Sequence, residues 1–99
     1  MDIQVSKEAA KWYKNELDLE KNETYIRFFV RYGGFGGNIP GFSLGVSKDE
    51  PVEVHASKEV ENITFYVEEK DAWYFEENDL KIKFSRKKQE PEIAYVKRA

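Results

Sequence analysis

The sequence predicts a mainly β fold carrying one N-terminal α-helix, with the strands divided between two sheets. Three observations predict it. Apolar and polar residues alternate with a period of two in several short stretches separated by polar turns. A helical repeat occurs near the start, directly after Ser6. All six glycines fall between Gly33 and Gly45, between two of the strand-like stretches. Ninety-nine residues suit one domain spanning 1–99.

Ile3 and Val5 read as a short first strand or extended arm. Ser6 can cap a helix, because its hydroxyl accepts from a free amide of the first turn. The helix is predicted from Lys7 to about Leu19: Ala9, Tyr13 and Leu17 repeat at i, i+4 and i+8, while Lys7, Lys11 and Lys14 face water. Val5 and Ala10 have the spacing of a hydrophobic staple. Glu20 to Glu23 is a polar connection.

Thr24 to Tyr32 is the clearest strand. Ile26, Phe28, Val30 and Tyr32 share one face, and Tyr25, Arg27, Phe29 and Arg31 share the other. The second set reads either as a solvated face with stacked stems or as a subunit or ligand surface, where Tyr and Arg are enriched. After the glycines, Phe42, Leu44 and Val46 form a second strand, paired with the first. Lys48-Asp49-Glu50-Pro51 is a turn. Val52, Val54 and Ala56 alternate with Glu53, His55 and Ser57 as a third strand, and Ser57 to Asn62 is a polar connection. Ile63, Phe65 and Val67 make a fourth. Asp71 to Phe75 fits one helical turn, with Trp73, Tyr74 and Phe75 in or near the core. Leu80, Ile82 and Phe84 mark a further strand, and Ile93, Tyr95 and Lys97 the last.

Composition excludes several function classes. A net charge of −3 with mixed signs does not provide the basic face that nucleic-acid binding draws on. The chain has no cysteine, so disulfides, zinc thiolates, a thiol nucleophile and ordinary iron–sulfur ligation are all ruled out. No apolar run approaches the roughly 20 residues of a membrane span. The start lacks the basic and apolar regions of a signal peptide. The expectation is a soluble, cytoplasmic protein.

Candidate sites are few. The segment Gly33–Gly41 is a connection needing positive φ, a docking loop that presents Phe35 to a partner, or a nest of amides for an anion. It lacks both the phosphate-loop ending and the dinucleotide spacing. His55, the one histidine, shares a strand face with Glu53 and Ser57 and would need further ligands to hold a metal. Glu68-Glu69, Glu76-Glu77 and Arg86-Lys87-Lys88 read as solvated turns. No nucleophile elbow or catalytic triad is present.

The ordered set of features resembles the HesB/YadR/YfhF branch of the HesB-like (IscA-type) iron–sulfur cluster biosynthesis family. It runs from a short strand and alanine-containing helix through a long strand with a glycine loop, an Asp-Glu-Pro turn, Val67-Glu68-Glu69-Lys70, an aromatic turn, and Asn78-Asp79-Leu80. The resemblance implies a HesB-like two-sheet β-sandwich and a place in iron–sulfur assembly. It also departs from the family's pattern. Phe35 stands where the carriers have a loop cysteine, and the chain stops at Val96-Lys97-Arg98-Ala99, where their Cys-Gly-Cys tail would begin. The resulting expectation is a non-catalytic protein with no cofactor. It binds a protein partner, itself or an iron–sulfur assembly protein, through Gly34, Phe35, Gly36, Gly37 and Phe42 and the Tyr25/Phe29 face. The alternatives are metal handling by His55, Glu53 and other carboxylates, and small-molecule binding between the sheets. Nucleic acid, membrane and enzymatic roles are not expected.

Overall fold

The serine before the helix caps it as its position requires. In the computed structural model, which describes residues 1–34 and 36–98, the Ser6 hydroxyl accepts from the Ala9 amide at 3.1 Å. Strand β1 (Ile3–Val5) leads into helix α1 (Lys7–Glu16). Ala9, Ala10 and Tyr13 are the helix's buried face. The helix stops at Glu16, short of the expected Leu19, because Asp18 turns left-handed at φ 49°. The Asp18 amide then donates to the Asn15 carbonyl (3.2 Å) and the Leu19 amide to the Lys14 carbonyl (3.1 Å). This is a Schellman ending, with aspartate where glycine is usual.

The remaining elements are β2 (Tyr25–Tyr32), β3 (Phe42–Ser47), β4 (Val54–Val60), β5 (Ile63–Glu68), a 3-10 helix (Glu69–Phe75), β6 (Asn78–Ser85) and β7 (Glu90–Lys97). They form the predicted mainly β, two-sheet architecture. The larger sheet has the order β3-β2-β5-β4 and the smaller β1-β6-β7. Hairpin neighbours pair antiparallel. Two pairings are parallel and bring distant segments together: β2 with β5, placing Ile26 opposite Phe65, and β1 with β6, placing Ile3 opposite Leu80.

Ile26 and Phe28 of β2 and Phe65 and Val67 of β5 are fully buried, in one core with Leu80 and Ile82 of β6 and the inner face of α1. Phe28 and Phe65 stack at 5.9 Å, and Tyr13 meets Phe28 edge-on at the same distance. Each such fully buried side chain stabilises the fold by about 2 kcal/mol. Burial pushes the Tyr13 phenol up to about 12.

Three further expected elements differ. Val52 is 91% exposed and precedes β4, because the β4–β5 register shifts between Val54 and Ala56. A bulge there inserts one residue and breaks the alternation, so His55 does not simply share a face with Glu53 and Ser57. Ser57–Asn62 is not a polar connection: β4 runs to Val60, and the turn is Glu61-Asn62, with φ 53° and 62°. Positive φ at both central residues is the mark of a tight hairpin turn. The polar run Ser57-Lys58-Glu59 is an exposed edge strand. Finally, the helical turn begins at Glu69 rather than Asp71. Tyr74 and Phe75 are buried as expected, but Trp73 is 53% exposed.

Candidate functional site

The segment between β2 and β3 is clamped onto the 3-10 helix by one asparagine. The Asn38 amide donates to the Tyr74 hydroxyl at 2.7 Å, and Asn38 Nδ2 donates to the Tyr74 carbonyl (2.8 Å) and to Glu76 Oε1 (3.1 Å). Asn78 Nδ2 donates to Asn38 Oδ1 at 3.2 Å and to the Phe75 carbonyl at 3.1 Å. The Tyr74 and Tyr95 hydroxyls share a hydrogen bond of 2.9 Å. Burial, then this hydrogen bond, raises the Tyr95 phenol well above the ordinary tyrosine range. The network ties the β2–β3 hairpin to the smaller sheet through β7.

The clamp explains part of the glycine cluster. A Cβ on Gly37 would overlap the Phe42 carbonyl oxygen and the Tyr74 hydroxyl. Glycine here permits close backbone approach. A Cβ on Gly45 would overlap the Phe29 ring, which lies across β3 from its cross-strand position. Gly34 and Gly36 belong to the same segment, and Phe35 lies outside the described residues.

Above the clamp stands a row of aromatic rings. Tyr32 meets Phe42 edge-to-face at 5.8 Å, Phe42 meets Trp73 at 5.3 Å, and Trp73 meets the buried Tyr74 at 6.1 Å. Tyr32 is 88% exposed, since β2 extends past the core at this end. Tyr32 and Trp73 are therefore open to solvent, joined by half-buried Phe42, and Trp73 rests on hydrogen-bonded Tyr74. Exposed aromatics on a rigid frame are the residue type and setting of protein-interface anchors.

The β2–β3 register divides the sequence-derived surface. Phe42 pairs with Tyr32, whereas Phe29 pairs with Gly45 and therefore points to the other face, with Tyr25. On that face Tyr25 packs edge-on against Tyr66 at 6.3 Å, and the Arg27 guanidinium lies 5.7 Å from the Phe29 ring centre. Arg27 also donates to Asp71 at 2.8 Å, while its Nε is buried with no hydrogen-bond partner among the described residues. Beside it a cleft of about 270 Å³ is lined by residues including Arg27, Asp49, Glu53, Glu68 and Lys70. The Glu68 carboxylate is occupied there, accepting from the Val52 and Glu53 amides at 2.8 and 2.6 Å. Tyr66 donates to the Asp49 carbonyl at 2.7 Å, and burial, followed by nearby Glu68, pushes its phenol up to about 12.

His55 Nδ1 lies 3.3 Å from a Glu69 oxygen. Among the described residues no three His, Cys, Asp or Glu side chains converge as a metal site, and the alternative pair His55 and Glu53 has no third such group beside it. No helix of the described residues is long and apolar enough to cross a membrane. The aromatic row escaped sequence reasoning in two of its three members. Alternation places Tyr32 on one strand face with Ile26, Phe28 and Val30, and Trp73 reads as a residue in or near the core. Asn38 carried a local signal, since it opens Asn-Ile-Pro-Gly, but its partner Tyr74 is 36 residues away.

No family model matches the chain, and no solved structure matches it. It is similar to a Bacillus subtilis (strain 168) protein named pyruvate dehydrogenase inhibitor, 46% identical over 96% of this chain and 99% of the relative. It is also similar to uncharacterised proteins of Staphylococcus haemolyticus (strain JCSC1435), 36% identical over 98% of both chains, and of Staphylococcus aureus (strain MRSA252), 35% identical over 99% of this chain. These findings overturn the expected HesB-like assignment and, with it, the iron–sulfur assembly partner and the iron-handling alternative. The resemblance rested on element order and common turn residues, which many small β domains share. The near full-length identity points elsewhere.

Proposed function

The chain belongs to the family of the Bacillus subtilis pyruvate dehydrogenase inhibitor, and we propose that it is a non-catalytic regulator that binds a pyruvate dehydrogenase and lowers its activity. The single observation that carries this reading is the 46% identity across nearly the whole of both chains. The site geometry supports a binding role. Phe42 and Trp73 offer large rings whose ordering costs little entropy on binding, because Tyr74 and Asn38 already hold the frame, and exposed Tyr32 extends the row. In the cleft, Glu68 holds the Val52 and Glu53 amides and Arg27 is paired with Asp71.

The test is an activity assay of purified Bacillus subtilis pyruvate dehydrogenase with increasing amounts of this protein. A saturable fall in activity is expected, with direct binding of matching affinity by interferometry. Trp73→Ala should weaken binding by about 2 kcal/mol, roughly 30-fold, with the melting temperature nearly unchanged. Undiminished activity and no binding at saturating protein would refute the proposal.

A further inference from the structure

The outer strand of the smaller sheet turns a row of backbone groups away from the monomer's own ladder. β7 is an edge strand whose ladder partner is β6. The Arg98 amide donates to the Glu77 carbonyl at 3.0 Å, which fixes the phase of that ladder. Opposed residues of an antiparallel pair alternate between bonded and non-bonded. Glu90, Glu92, Ala94, Val96 and Arg98 therefore bond toward β6, and Pro91, Ile93, Tyr95 and Lys97 turn their backbone groups outward. The other side of β6 agrees in phase: the Leu80 amide donates to the Asp2 carbonyl, and the Ile82 carbonyl accepts from the Ser6 amide, both at 3.0 Å. Among the described residues, no backbone hydrogen bond outside the regular ladders involves Ile93, Tyr95 or Lys97. Such an edge is a template for another strand.

The core also runs out here. Ile93 stands opposite Ile82 on the core-facing side of the sheet, yet Ile82 is 1% exposed and Ile93 is 37% exposed. Charge is graded along the same strand. Glu90 and Glu92 lie at its start, Ile93 to Val96 is uncharged, and Lys97 and Arg98 close it. Two copies laid antiparallel set the acidic start of each against the basic end of the other. A parallel arrangement would set like charges together.

We infer that β7 is a self-complementary edge that joins two copies of this chain, in an antiparallel β7–β7 ladder about a two-fold axis at Ala94. In this register Ile93 exchanges backbone hydrogen bonds with Tyr95 of the second copy. Glu90 lies opposite Arg98 of the second copy, whose guanidinium also donates to the Glu76 and Glu77 carbonyls of its own copy, and Glu92 lies diagonal to it. The two small sheets become one continuous sheet, and Ile93 is covered. One strand edge buries less than the roughly 1,600 Å² of a standard interface, so association is weak, on the order of micromolar. This inference does not depend on the pyruvate dehydrogenase reading.

Sedimentation equilibrium tests it with three proteins: wild type, Glu90→Lys and Arg98→Glu. The wild type should dimerise reversibly. Each variant alone places like charges at both ends of the ladder and should weaken association about tenfold. Mixing the two variants restores an opposite pair at each end and should recover wild-type affinity. Circular dichroism verifies that each variant stays folded, and the recovery on mixing separates lost pairing from lost structure. A wild type that is monomeric at about 100 μM would overturn the inference. So would variants that dimerise like the wild type, or a mixture no tighter than its components.

Discussion

Glu76 occupies φ 53°, ψ −120°, a backbone region that glycine tolerates and other residues avoid. Its surroundings hold it there. Asn38 donates to its carboxylate at 3.1 Å, and Arg98 donates to its carbonyl at 2.9 Å. Glu76→Gly should relieve the strain and raise stability by about 1 kcal/mol, net of the lost Asn38 contact, read as a higher urea midpoint at constant slope. Nothing in the sequence marks this residue, because a glutamate beside a glutamate looks like a solvated turn. The glycines were legible as a place where geometry rules. The groups that exclude a side chain at Gly37 and Gly45 were not, since Tyr74 and Phe29 are distant in sequence. Ser6 was legible in full, because a cap and its amide lie three residues apart.

At the scale of elements, the segment between β3 and β4 shows how a loop is fastened by two buried side chains. Glu68 takes the Val52 and Glu53 amides, and Tyr66 takes the Asp49 carbonyl. Glu68→Ala should cost about 2 kcal/mol, because two amides lose a charged acceptor in a shielded place. Hydrogen exchange at Val52 and Glu53 should accelerate selectively, and Glu68→Gln should have the smaller effect because one acceptor remains. The Lys48-Asp49-Glu50-Pro51 turn could be read from its composition, but its anchor could not. The same limit applied to β4. Alternation presumes a regular pleat, and the bulge before Ala56 shifts every residue upstream of it. The exposed edge carries Ser57-Lys58-Glu59, so burial left no periodic trace there. The end of α1 was missed for a related reason, since Asp18 performs a glycine's task.

Across the whole molecule, buried phenols set the alkaline limit. Tyr13 and Tyr66 are raised from 10.0 to about 12, chiefly by burial, and Tyr95 is raised for the same leading cause. The fold thus favours the protonated phenol. Its contribution is complete below the unfolded value of 10.0 and is lost as pH climbs through the folded value. Stability should be level up to about pH 10 and fall steadily toward pH 12, with the tyrosinate absorbance of the buried phenols appearing together with loss of structure. Individual strands and the two-sheet class were legible because alternation is local. Their parallel partners, and the aromatic row that depends on them, were not, because no short-range pattern specifies which distant strands meet. The parallel pairing of β1 with β6 has a consequence for synthesis. Ile3 to Val5 find their ladder only beside Leu80 to Ile82. A ribosome must therefore expose most of the polypeptide before its opening segment can dock, and the smaller sheet closes late, at the pace that such long-range contacts impose.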